Sequence, residues 1–157
     1  MTKIIFMGTT FKIWETNRNL YLNFLKSYSL EQLNKIPDGF SNNLIWNIGH
    51  IIVSQQGLVY RLSGLPMHVS DAMFETYKNG SKPTGSTTAE EVSEIKSLLL
   101  TLIKKTKEDY ANGKFTTYNE YTTSTGFNLT TTLEAMEFNN YHEAIHLGFM
   151  MNIRKFI

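Results

Sequence analysis

The sequence predicts an all-α fold: a four-helix bundle with a long crossover between its second and third helices. Three observations carry that expectation. Four long segments place apolar residues three and four apart, the period of a helix with one buried face. Their starts carry side-chain capping signatures. The connection over residues 64–87 is far longer than the usual bundle loop, long enough to span the bundle and set the second and third helices parallel.

The first helix is expected from about Thr10 to Leu33, with Phe11, Trp14, Tyr21, Phe24, Leu25 and Tyr28 on its apolar face. Ser29 and Gln32 have the spacing of a capping box, so a break near Ser29 and a restart before Pro37 is expected. Ser41 is the expected N-cap of the second helix, which runs to about Ser63, ahead of Gly64 and Pro66. Its stripe reads Trp46, Gly49, His50, Val53, Gly57 and Tyr60. Glycine disfavours helix, so these two imply close approach of another backbone or a ligand. The third helix starts at Thr88, with Glu91 completing a capping box, and ends at Asn112-Gly113. The fourth starts near Thr131, with Glu134 three residues on, and runs to the chain end. Between them, Phe115–Tyr118 and Tyr121–Thr123 are β-prone, suited to a small hairpin or a cover over one end.

The 157 residues read as one domain, 1–157, without internal repeats or low-complexity tracts. With 15 basic and 14 acidic side chains, no field that would steer nucleic acid or an anionic membrane is implied. There is no Cys, so disulfides and thiolate ligands are excluded and any metal must be held by nitrogen and oxygen. Ile4–Met7 is too short an apolar run for a signal-peptide core or a membrane span, so a cytoplasmic protein is expected.

The chemistry concentrates in Tyr141-His142-Glu143-Ala144-Ile145-His146-Leu147-Gly148, where two of the four histidines stand four apart. On a helix they stack, offset by roughly 40°, on the face that also holds Ala135, Phe138, Phe149 and Ile153, so the pair is expected to point into the bundle. Neutral imidazoles at this spacing chelate zinc, nickel or ferrous iron, and a third ligand must come from elsewhere. His50 falls on the core stripe of its own helix and is the natural candidate; His68, in the loop after Pro66, is a weaker one. The competing explanation is a set of core histidines hydrogen-bonded to their neighbours.

His142–His146 also matches the H-E-x-x-H pattern of zinc metalloproteases, in which the Glu activates a bound water. Against a protease stand the 11 residues after His146, too few for a helix carrying the third ligand, and the missing metzincin glycine. No upstream strand pattern could form a substrate-aligning sheet edge.

Trp46-Asn47-Ile48-Gly49-His50-Ile51 resembles the second-helix motif of the DinB-like (DNA-damage-inducible B) superfamily. His142–Gly148 is similar to its last-helix motif, and Thr123-Ser124-Thr125-Gly126 to the segment before that helix. The likeness spans nearly the whole chain. It implies a four-helix bundle with a long crossover, often a homodimer, and a divalent metal on three histidines, matching His50, His142 and His146. Relatives of this kind include thiol-dependent transferases and a maleylpyruvate isomerase using low-molecular-weight thiols. A thiol cofactor is therefore implied by resemblance alone.

On that footing the chain is expected to be a divalent-metal-binding protein acting on a small molecule, as a metal-dependent thiol transferase or isomerase. An open coordination position would lower the pKa of a bound water or thiol. Glu143 could serve as base, although roughly 100° around the helix from His142 it could equally be a surface or supporting group. Gln56 and Tyr60 could line the pocket or simply pack, and Arg61 could recognise a carboxylate or be solvated. The alternative is a non-catalytic, metal-binding or stress-related bundle dimer.

Overall fold

The computed structural model describes the backbone of residues 2–157 and the side chains from residue 7 on. Of the apolar run Ile4–Met7, all but Met7 therefore lies outside the described side chains. The chain is mostly helical. Its helices are α1 (Thr2–Ser27), α2 (Leu30–Asn34), α3 (Leu44–Val59), α4 (Asp71–Tyr77), α5 (Ala89–Ala111) and α6 (Thr132–Ile153), with strands β1 (Tyr121–Thr122) and β2 (Asn128–Leu129). No helix among the described residues is long and apolar enough to cross a membrane.

Local chemistry sets most boundaries. The break near Ser29 is real: its hydroxyl accepts from the Gln32 amide and the Gln32 side chain returns to the Ser29 amide. Thr88 and Glu91 form the same reciprocal pair at the start of α5. Thr131 caps α6, while the Glu134 carboxylate reaches one residue further back, to the Thr130 amide and hydroxyl. At α3 the expectation needs correcting, because Asn43, not Ser41, is the cap and accepts from the Trp46 amide. Helical winding continues past Val59 as a 3₁₀ turn, Arg61–Ser63, and stops at Gly64, whose φ of 71° favours glycine.

The 64–87 connection is not structureless. It contains α4, begun by the Ser70 hydroxyl on the Met73 amide. This short helix explains the glycines of α3. A Cβ on Gly49 would lie 2.5 Å from the Tyr77 ring, and one on Gly57 3.3 Å from the Phe74 ring. Within the protein, the close approach inferred from those glycines is thus made by two aromatic side chains of α4 and not by a backbone.

The long helices pack as neighbours: α1 on α5 and α6, and α3 on α5 and α6. Cross-helix pairs give their directions. Thr10 bonds Glu137 and Arg18 bonds Glu143, so α1 and α6 advance together. Asn47 meets His146 while Ser63 meets Thr132, so α3 and α6 are opposed. Phe11 contacts Tyr110 and Glu15 pairs with Lys107, so α1 and α5 are opposed. Gln55 bonds Thr106 and Tyr60 bonds Asp109, which sets α3 and α5 in the same direction. Residues 64–87 accordingly return to the start of α3, where Asn34 bonds both Thr87 and Asn43.

The core forms two clusters, one around Tyr21, Ile48, Ile52 and Leu99, the other around Trp14, Val59, Ile103 and Met136. Each such buried side chain contributes about 1.5–3 kcal/mol. Because α2, α4, α5 and α6 all touch α3, that helix is buried on nearly every side. The hairpin pairs Tyr121 with Leu129 and Thr122 with Asn128. Phe115 does not join it; it packs edge-on against Tyr60 and closes one end of the core.

Candidate metal centre

Helix α6 buries a stripe of Thr132, Ala135, Met136, Asn139, Glu143, Met150 and Ile153. His142 and His146 flank this stripe and are half-buried, and Phe149 beyond them is 52% exposed. The sequence-based face is therefore rotated: Glu143, not the histidine pair, occupies the centre of the buried side. The rotation turns both imidazoles toward α3, and that of His142 also toward a cavity.

Across from them stands His50. Its Nε2 lies 3.2 Å from that of His142, close to the roughly 3.4 Å between two nitrogens on one tetrahedral zinc. One ring nitrogen from each of His50, His142 and His146 falls within 4.8 Å of the others, a group among the described residues that could hold a metal ion. Neighbours select which nitrogen faces inward. His50 Nδ1 donates to the Tyr77 carbonyl at 2.7 Å, leaving the Nε2 lone pair free to ligate. His146 Nδ1 donates to Asn47 Oδ1 at 2.8 Å. The Asn47 amide group is itself pinned, donating to Asn42 Oδ1 at 2.8 Å and the Asn43 carbonyl at 2.7 Å. Trp46 stacks on His50 with centroids 4.8 Å apart and planes at 9°. His142 Nδ1 is buried without a partner among the described residues.

Burial pushes the pKa of all three imidazoles down. For His50 the Tyr77 carbonyl works against burial. For His142 burial, then His50 and Arg18, bring the value to about 3. His146 is held well below the ordinary range by burial and then by the other two rings. All three are neutral at pH 7, so each ring keeps one nitrogen lone pair available to a cation. A divalent cation of the zinc, nickel or ferrous class fits this all-nitrogen set.

The other singled-out residues lie elsewhere. Glu143 is fully buried and faces α1, where its Oε1 accepts from Arg18 Nη2 at 2.6 Å, Arg18 Nε at 3.0 Å and Asn139 Nδ2 at 2.9 Å. A carboxylate so committed is no base for the histidine site, which also removes the physical content of the H-E-x-x-H match. Gln56 is buried and accepts the His68 amide at 2.7 Å. Tyr60 donates to Asp109 Oδ2 at 2.9 Å at the far end of α3. Neither lines the cavity beside the histidines. His68 stands by Asp109, 3.5 Å away, not by the triad. Burial alone would raise the Asp109 pKa, but Lys105, Lys114 and the Tyr60 hydroxyl hold it well below the carboxylate range.

Arg61 does line the cavity, a space of about 410 Å³ with His50 and His142 in its wall. Phe74, Lys78, Phe138 and the Thr123–Thr125 loop complete much of the enclosure. Sequence reasoning missed Trp46, Asn47 and Tyr77 as supports. Asn47 was visible as a polar residue inside an apolar helix, one turn before His50; Tyr77 had no signal, because it acts through its carbonyl from a helix that was not foreseen.

A family model of the DinB superfamily matches residues 13–150, a span that includes all three histidines. No curated protein matches the chain.

Proposed function

The chain belongs to the DinB superfamily, and from that premise we propose that it is a divalent-metal protein whose ion is held by His50, His142 and His146. In the same reading the four long helices form a bundle, with residues 64–87 as its long crossover. The shared direction of α3 and α5 supports this. The observation that carries the metal is the convergence of three neutral imidazoles, two of them with their second nitrogen anchored.

We read the site as catalytic toward a small molecule, because the cavity of about 410 Å³ opens directly on His50 and His142. When bound, the cation supplies Lewis acidity. Tyr77 and Asn47 hold two of the ligating rings in the correct tautomer, Trp46 clamps the His50 plane, and Phe74 and Phe138 exclude water from one side. Ser54 Oγ, 3.3 Å from His50 Nε2, is placed to orient a polar atom of the ligand. Family analogy extends this to a thiol transferase or isomerase using a low-molecular-weight thiol, in a cytoplasmic homodimer. A non-catalytic metal-binding dimer is the competing reading, and a substrate-sized cavity at the ligands counts against it.

Elemental analysis of protein purified without an affinity tag is expected to find about one equivalent of a first-row divalent metal. Absence of metal, with none taken up on addition, would overturn the assignment. Thiol conjugation and maleylpyruvate isomerisation, assayed with several bacterial thiols, then separate enzyme from binder; a metal-loaded protein inert in all of them is a binder.

Gly49→Ala tests the supports. The new methyl meets the Tyr77 ring, which must shift, and the shift is expected to pull the Tyr77 carbonyl away from His50. We expect metal affinity to fall about 10–100-fold, with about 1–3 kcal/mol of overpacking cost. Chelator competition measures the first and urea unfolding the second; unchanged affinity would show that the Tyr77 carbonyl is dispensable.

A further inference from the structure

We infer that the cavity beside the histidines receives an apolar molecule bearing one carboxylate, and that Arg61 reads that carboxylate; this rests on the small-molecule reading above. The charged residues lining the cavity are Arg61 and Lys78, with no Asp or Glu among them. Lys78 already pairs with Glu75. Arg61 has no carboxylate partner among the described residues, and its guanidinium instead lies over the Phe74 ring, 5.3 Å from the centroid.

That placement is built from below. Gly57 has no Cβ, so the Phe74 ring settles against α3, where a methyl would come within 3.3 Å of it. Seated there, Phe74 supports the guanidinium from beneath and leaves its N–H fork for a ligand. A planar fork of this kind matches a carboxylate with two parallel hydrogen bonds. The rest of the wall favours an apolar body: Val53, Leu58, Phe138 and Ile145 line it, and the loop adds hydroxyls at Ser124 and Thr125. About 410 Å³ falls at the small end of ligand pockets, which run from roughly 300 to 1,000 Å³. One compact molecule fits, with its carboxylate on Arg61 and its other end toward His50 and His142.

The test compares three probes of one shape: 1-naphthoate, the neutral 1-naphthylmethanol and the cationic 1-naphthylmethylammonium. Binding is measured by calorimetry to the full chain, chelator-treated and zinc-loaded, as wild type and as Arg61→Gln. In the chelator-treated wild type, naphthoate is expected to bind at least about tenfold more tightly than either analogue. Arg61→Gln should erase that preference while leaving the alcohol's affinity unchanged, a control against misfolding. Equal binding of the three probes, or an anion preference that survives Arg61→Gln, overturns the inference. A preference seen only after zinc loading does so too, since it assigns the carboxylate to the ion. Failure of zinc to bind would count against the metal reading alone, because the chelator-treated comparison decides on Arg61 without it.

Discussion

Arg18→Ala is expected to remove about 3–5 kcal/mol of folding stability, read as a lower urea midpoint and a fall in Tm of roughly 6–20 °C for a chain of this size. Arg18 and Glu143 are both fully buried, joined at 2.6 Å between helices at opposite ends of the sequence. Alanine would leave the carboxylate desolvated and held only by Asn139, with a cavity where the guanidinium stood. The pair is itself incompletely satisfied, since Arg18 Nη1 and Glu143 Oε2 lack partners among the described residues. Replacing both residues with apolar side chains, Arg18→Met with Glu143→Leu, should therefore recover most of the loss. A single variant within about 1 kcal/mol of wild type would mean that the Arg18–Glu143 contact contributes little to holding α1 on α6. The ion pair also reaches the metal centre: Glu143 follows His142 directly, and the Tyr21 hydroxyl donates to the Glu143 carbonyl. Together Arg18 and Tyr21 fix the rotation of α6 that presents its histidines to α3.

That same pair shows where the sequence misleads. Arg18 stands four residues after Trp14 and three before Tyr21, and Glu143 four after Asn139, all at core spacing. Read by hydropathy, such positions look solvated, so the buried stripe of α6 was assigned to the histidine side instead. Charge complementarity across two helices carries no signal in either one alone. Capping boxes are different, being local. Ser29 with Gln32 and Thr88 with Glu91 act within four residues, and the sequence showed both. Helix α4 spans only seven residues between turn-forming segments, too few for a period to emerge, and the Ser70 cap was its only mark. Gln56 and Tyr60 pack in the core, one of the two roles that the sequence left open for them. Ten residues along a helix is about 15 Å, so Tyr60 reaches the other end of the core from His50. The histidines themselves were legible because i, i+4 spacing fixes their mutual geometry whatever surrounds them.

Removing a histidine should have the largest functional effect, and the three positions should differ in structural cost. His142→Ala is expected to reduce bound metal from about one equivalent to none at little cost to the unliganded fold, since its Nδ1 bonds nothing among the described residues and its Nε2 meets only His50. His146→Ala should lose the metal and also strand Asn47 Oδ1, costing about 1 kcal/mol more. His50→Ala removes the ring that links Trp46, Tyr77 and the other two imidazoles, so metal loss should come with a loosened α4. A ligand that binds only the folded state stabilises it by about 4 kcal/mol at a thousandfold excess over its Kd. Chelation should accordingly lower the Tm of the wild type and leave that of His142→Ala unchanged. Elemental analysis and thermal unfolding with and without chelator measure both. If His142→Ala keeps its equivalent of metal, or if chelator lowers its Tm as much as that of the wild type, the ion is held by other residues and the triad is a packing cluster of neutral rings.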